Sequence, residues 1–382
     1  MAFLSVSEEL TDIFITESEI IDRYVGGTLW NWGLNSSGQL GDNNPENKSS
    51  PVQTVSGGTN WKQVSVGSSH AAAIKTDGTL WLWGDGSTGL TGDNTTTSRS
   101  SPVQTVSSGA NWKQVSAGAT NTAAIKTDGT LWAWGLNQFG GVGDNTTISR
   151  SSPVQTVSSG TNWKQVSAGG AHTAAIKTDG TLWLWGSNVY GRLGDNSNIP
   201  KSSPVQTVSS GTNWKQVSAA SFHTAAIKTD GTLWLWGFGE NIGDNTTIDK
   251  SSPVQTVSSG TNWKQVSAGG LRTTAIKTDG TLWLWGRGEV GGVGNNSIID
   301  RSSPVQTISS GTNWKQVDAG HLHVAAIKTD GTLWLWGWNS YKGQLGDNTA
   351  IDRSSPVQTV SSGANWKQVS GGSFSTAAVE FC

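Results

Sequence analysis

From Trp163 onward, apolar and polar residues alternate in short runs rather than at helical spacing. Trp163-Lys-Gln-Val-Ser, His172-Thr-Ala-Ala-Ile-Lys, Thr181-Leu-Trp-Leu-Trp and Pro204-Val-Gln-Thr-Val read as four strands. The segments between them are dense in Gly, Asn, Asp and Ser, which argues against helices. Lys177-Thr-Asp-Gly-Thr reads as a tight hairpin in which Asp-Gly supplies the positive φ angles of a type I′ turn. The pattern then returns. Its proline recurs at Pro51, Pro102, Pro153, Pro204, Pro253, Pro304 and Pro356, in steps of 51, 51, 51, 49, 51 and 52 residues. A fixed period of this size marks one supersecondary unit that cannot bury its apolar face alone. Four antiparallel strands per copy and seven copies predict an all-β fold, a seven-bladed β-propeller of four-stranded antiparallel blades.

The chain enters the pattern in mid-copy at Gly26 and leaves it at Cys382 with the missing half. N- and C-terminal strands are therefore expected to pair and close the ring, which removes two open edges. Residues 26–382 are assigned to the propeller and 1–25 to an acidic extension. Of the 22 tryptophans, all but Trp338 fall at three repeated positions, which suits blade-to-blade packing.

Charge adds one asymmetry. Residues 1–25 hold Glu8, Glu9, Asp12, Glu17, Glu19 and Asp22 against Arg23, a net of −5 within a chain total of −2. Nothing here suggests a nucleic-acid partner. No window approaches the length of a membrane span. The single cysteine, Cys382, excludes a disulfide framework, and the first residues lack the basic and apolar regions of a signal peptide.

The stretch from Ala168 to Gly194 contains Gly-x-x-His-Thr, Asp-Gly, Trp-Gly and a Gly-Arg-Leu-Gly loop. It resembles the repeat of the regulator of chromosome condensation family, and the likeness extends over residues 26–382. That resemblance implies the propeller fold and leaves function open. Family members that exchange nucleotides carry an inserted wedge and a basic tail, for which the even spacing and acidic extension here leave no counterpart. A plant photoreceptor member carries tryptophans before the repeat histidine, where this chain has Ser69, Thr120, Ala171, Phe222, Leu271, Leu322 and Phe374. Secreted inhibitor members grip a protein with an aromatic face. In overall style the chain also resembles propellers of tailed phages of aquatic bacteria.

Most of each copy repeats almost word for word, but two segments vary: the residues before the second strand and those after the third. In an up-and-down blade both lie on one face. Aromatic residues there, with one leucine and one arginine, make a candidate recognition surface: Phe139, Tyr190, Phe222, Phe238, Arg272, Leu322, Trp338, Tyr341 and Phe374. The extension leaves from the opposite face and is expected to anchor the chain to a larger assembly.

Chemistry fares less well. Gly84-Asp-Gly-Ser-Thr-Gly89 and Gly286-Arg-Gly-Glu-Val-Gly291 match a phosphate-loop pattern but precede no helix. The repeated Gly-Asp-Asn suits Asx turns better than calcium. His70, His172, His223 and His323 hold equivalent places on different blades and are not expected to share a metal. No cofactor, metal or catalytic constellation is expected. The leading expectation is a non-enzymatic binding module on a phage virion surface, with a protein or glycan partner; failing that, a cytoplasmic protein. The alternatives are a guanine-nucleotide exchange factor for a small GTPase and a secreted protein inhibitor.

Overall fold

The computed structural model describes residues 26–382 except 107, 108, 158, 159, 210, 259, 309, 310, 341, 362 and 382. Among these residues 28 strands, β1 to β28, form seven four-stranded antiparallel sheets. One blade illustrates the rest: β11 (Trp163–Ala168), β12 (His172–Lys177), β13 (Leu182–Gly186) and β14 (Lys201–Gln206), side by side in chain order. Sequence alternation places these strands well, with two differences. The fourth strand starts three residues before Pro204, and its register against β13 shifts between Leu184 and Gly186. Proline donates no ladder bond, so it sits on this outer strand beside the irregularity. The Asp-Gly hairpin is not a type I′ turn. Gly180 N–H donates to Lys177 O at 3.0 Å and Gly180 has φ +79°, whereas Thr178 and Asp179 keep negative φ. This is a three-residue loop with glycine in the left-handed position.

Each blade has two apolar faces. One presents Trp163, Val166 and Trp185 to the preceding blade, against Ile125, Leu131 and Val142. The other presents Ile176, Leu182, Leu184 and Leu193 to Trp214, Val217 and Trp236 of the next. Tryptophan into aliphatic packing repeats at all seven interfaces. Within a blade the rings Trp163 and Trp185 meet edge-on at 6.2 Å.

Closure follows expectation. β1 (Thr28–Gly33) pairs with β28 (Ser375–Glu380) in one sheet, ordered β2 (Lys48–Gln53), β1, β28, β27 (Trp366–Gly371). Six consecutive residue pairs, Thr28↔Glu380 through Gly33↔Ser375, join the two ends of the chain.

The innermost strands diverge too far for a backbone ladder between blades. Gln63 bridges the gap: its amide accepts from Val115 N–H at 3.2 Å and donates to Val115 O at 3.0 Å. Gln114, Gln165, Gln216 and Gln265 repeat this two-bond bridge, and Gln368 carries it across the closure to Val64. A central channel runs inside this collar. No helix among the described residues is long and apolar enough to cross a membrane.

Candidate functional site

The two variable segments of each blade are tied to one another. Ser187 N–H donates to Ala171 O at 2.9 Å, Phe238 N–H to Phe222 O at 3.0 Å and Trp338 N–H to Leu322 O at 3.0 Å. The invariant turns meet on the other side, where Thr178 N–H donates to Asn162 O at 2.7 Å. Variable and constant faces are thus segregated as the strand order requires. The segment after the third strand is less of a surface loop than its sequence suggests. Leu193 plunges into the blade interface, and the Arg192 carbonyl accepts the indole N–H of Trp236 in the next blade at 2.8 Å. Ser187 and Asn188 are buried as well, while Val189 and Tyr190 face outward, and the chain returns to the surface only at 196–200.

Two aromatic groups form there. Tyr190 meets Phe238 at 5.1 Å and Phe222 at 6.2 Å, and Phe222 meets Phe238 at 6.3 Å. This trio spans two neighbouring blades. Tyr190 holds φ +64°, a left-handed conformation that a bulky side chain adopts at a cost. The second group joins Trp338 to Phe374 at 5.3 Å and Phe374 to His321 at 6.3 Å, across the junction with the closing blade. Phe139 stands apart, 41% exposed, and Leu322 is half-buried. Tyr341 lies outside the described residues, as does the segment 1–25 assigned an anchoring role.

Arg272 does not reach the surface. It takes the histidine position of its blade and is fully buried, with its guanidinium against Gly292. Its Nη2 donates to Arg287 O at 3.4 Å, while Nε and Nη1 have no partner. Burial lowers its pKa to about 10. The exposed cation of this region is Arg287, which pairs with Glu240 of the neighbouring blade at 3.4 Å and Glu289 at 3.6 Å. Its signal in the sequence was a positive charge at a position that is otherwise Leu, Asp, Ser, Phe or Trp.

The histidines are structural. His70 Nε2 bonds Thr122 Oγ1 of the next blade at 2.8 Å, and His172, His223 and His323 repeat the contact with Thr224, Thr273 and Thr376. Where the next blade lacks the threonine, at Val324 and Ala71, the preceding blade lacks the histidine and has Arg272 or Ser375. Burial pushes the imidazoles down, His70 to about 4 and His223 and His323 to about 3. The Gly-Asp-Asn aspartates are occupied by their own turns and by cations: Asp144 accepts from Thr146 Oγ1 at 2.7 Å and Arg150 Nε at 2.7 Å. No group of three potential metal ligands occurs among the described residues.

One channel residue breaks the repeat. Asp318 stands where Ser65, Ser116, Ser167, Ser218, Ser267 and Ser370 stand in the other copies. Its carboxylate accepts from Ser267 Oγ at 2.7 Å and Gly371 N–H at 2.8 Å, and burial raises its pKa.

A model of the RCC1-like domain matches residues 18–255, and models of the regulator of chromosome condensation (RCC1) repeat match 279–327 and 330–379. The chain belongs to the RCC1-like family. Ultraviolet-B receptor UVR8 of Arabidopsis thaliana is 29% identical over 87% of this RCC1-like chain, and the chain spans 65% of that protein. The mitochondrial RCC1 domain-containing protein RUG3 of the same plant is 28% identical over 56% of the chain, which spans 51% of it. The chain thus covers less than two thirds of either relative. Yeast RCC1 (Prp20), solved bound to Kap60, shares the fold with a TM-score of 0.81 at 18% identity, covering 100% of this chain and 96% of that one. A second Prp20p structure is described with its binding to Gsp1p and histones. These findings overturn the expectation of a phage virion module and its virion-surface location. The matched proteins include those of plants, yeast, human and mouse, one named as mitochondrial and another as a binder of histones, and none of these is a phage protein.

Proposed function

We propose that this RCC1-like propeller acts by binding protein rather than by covalent catalysis, and that its variable face receives the partner. The observation that supports this most is where the non-framework rings gather. Tyr190, Phe222 and Phe238 form one outward group and Trp338 and Phe374 another, both on the variable face. Aromatic anchors ringed by Ser, Asn, Arg and Glu have the composition of a protein interface core and rim. The partners named for Prp20 are likewise proteins.

Guanine-nucleotide exchange on a small GTPase is the activity that suits this surface best, in keeping with the binding of Gsp1p described for Prp20p. The copies are evenly spaced, so the exchange surface here is built from short loops rather than an inserted wedge. The test is release of fluorescent GDP from purified small GTPases, with the native chain and a Phe222→Ala/Phe238→Ala variant. The native chain is expected to speed release from one of them, and the variant to lose that effect while melting at nearly the native temperature. Failure to speed any GTPase sinks the exchange reading. Speeding that the variant retains moves the partner off this face.

A further inference from the structure

The constant face is strongly basic. Lys62 and its six counterparts, one per blade, stand at the bulge of each innermost strand around the channel mouth. All are exposed except Lys367, which is half-buried. Behind them Lys75 lies over Trp61 and Trp81 at 4.7 and 4.6 Å, and five further blades repeat that sandwich. This face carries thirteen lysines against six turn aspartates and Glu380, a net of +6. The aspartates are committed to their turns, as Asp77 accepts from Thr79 N–H and Oγ1 at 2.9 and 2.7 Å. The ion pairs of the outer rim and variable face draw on other cations: Lys48, Arg99, Arg150, Lys201, Lys250, Arg287 and Arg353.

A cavity at the mouth is lined by Lys315, Lys367 and Lys62 of three consecutive blades, with Gln63, Gln368 and Phe381. Gly27, which follows the acidic segment in the chain, lies at its edge. Gly27 exchanges two hydrogen bonds with Trp61, at 2.8 and 3.1 Å, one residue from Lys62. The preceding segment has a net charge of −5 and intersperses its carboxylates with Leu10, Ile13, Phe14, Ile15, Ile20 and Ile21.

We propose that the acidic segment 1–25 docks on the lysine crown of its own chain, over the channel mouth of the constant face. Charge complementarity selects the site, and attachment at Gly27 selects the copy. A short tether holds its end at an effective concentration in the ~mM range, above any ordinary concentration of a second chain. At about 3.3 Å per extended residue the segment is long enough to cross the mouth. The apolar residues have the half-buried ring of Phe381 in the cavity wall to meet.

The test is zero-length carbodiimide cross-linking of the full chain, using an equal mixture of unlabelled and nitrogen-15 chains and peptide mapping by mass spectrometry. Links from Glu8, Asp12, Glu17 or Asp22 to Lys62, Lys315 or Lys367 are expected within single chains. They should fade in about 1 M salt, where the screening length is about 3 Å. A second full-chain variant, with Glu8, Glu9, Glu17 and Glu19 changed to Gln and Asp12 and Asp22 to Asn, is expected to acetylate several-fold faster at the crown lysines. Links found only between differently labelled chains would assign the crown to a second copy and overturn the proposal. So would an absence of links together with equal acetylation of the two proteins.

Discussion

Asp318 shows how one residue in a repeat reveals its own cost. In the other copies a serine hydroxyl accepts the N–H one position past its counterpart in the next blade, as Ser65 Oγ does from Ala117 at 2.9 Å. Asp318 keeps that bond to Gly371, but desolvation of its carboxylate by the neighbouring blades raises its pKa above the ordinary 3.8. A raised carboxyl pKa favours folding only when protonated, so its contribution is present at low pH and lost as pH rises through the folded value. Asp318→Ser should therefore stabilise the fold at neutral pH by about 1 kcal/mol, with the gain shrinking on acidification; urea midpoints across pH would measure it. The buried histidines behave oppositely. Their folded pKa values, about 4 for His70 and about 3 for His323, lie below the ordinary 6.5. Their neutral forms cost nothing above pH 6.5, and stability falls as pH drops from 6.5 toward 4, by at most about 1.4 kcal/mol per pH unit for each histidine. Thr376→Val, which strips His323 of its partner, should cost about 1–3 kcal/mol in the same measurement. The histidine positions were legible in the sequence. Their partners were not, because each lies about fifty residues away on another blade and only packing brings the pair together.

At the scale of the strand, alternation of Leu-Trp-Leu-Trp and of Trp-x-x-Val was enough to place the first three strands, since period two and tryptophan spacing coincide. The fourth strand was misplaced by three residues because Pro204 marks the irregularity within the strand rather than its start. The Asp-Gly turn was misassigned because the same dipeptide serves both hairpin types, and only the backbone angles separate them. The glutamine collar was not legible at all. A single Gln at the third position of the innermost strand says nothing until neighbouring blades are set beside it. There its amide substitutes for a peptide group and completes a ladder that the diverging strands cannot make. Gln216→Leu leaves Val266 N–H and C=O without protein partners. Because the channel admits water, the expected loss is about 1 kcal/mol rather than the larger penalty of a dry site. Gln216→Glu, which keeps the acceptor, should lose less at acidic pH than at neutral pH. Thermal melts of the two variants decide it.

For the whole molecule, seven copies in phase made the propeller and its closure readable from the chain, and strand order alone assigned variety to one face. What stayed hidden was which varied residues meet. Tyr190 and Phe222 belong to different copies, and their contact depends on the step between blades. Arg272 looked like a surface cation because its segment varies, but it is the buried member of a matched pair with Gly292, whose missing side chain makes the room. The same repetition bears on how the chain finds its fold. Each blade offers its neighbour nearly the same tryptophan and aliphatic surfaces, so any copy can dock productively beside any other, and local packing carries little record of chain order. The unfolded protein therefore faces many near-degenerate pairings that are wrong only in connectivity. Rings closed one blade short and strands exchanged between chains are the natural traps. Refolding from urea should be slow and multiphasic, and its yield should fall as concentration rises. The matched pairs that differ from copy to copy, Arg272 with Val324 and Ser375 with Ala71, are among the few addresses by which a blade recognises its rightful neighbour.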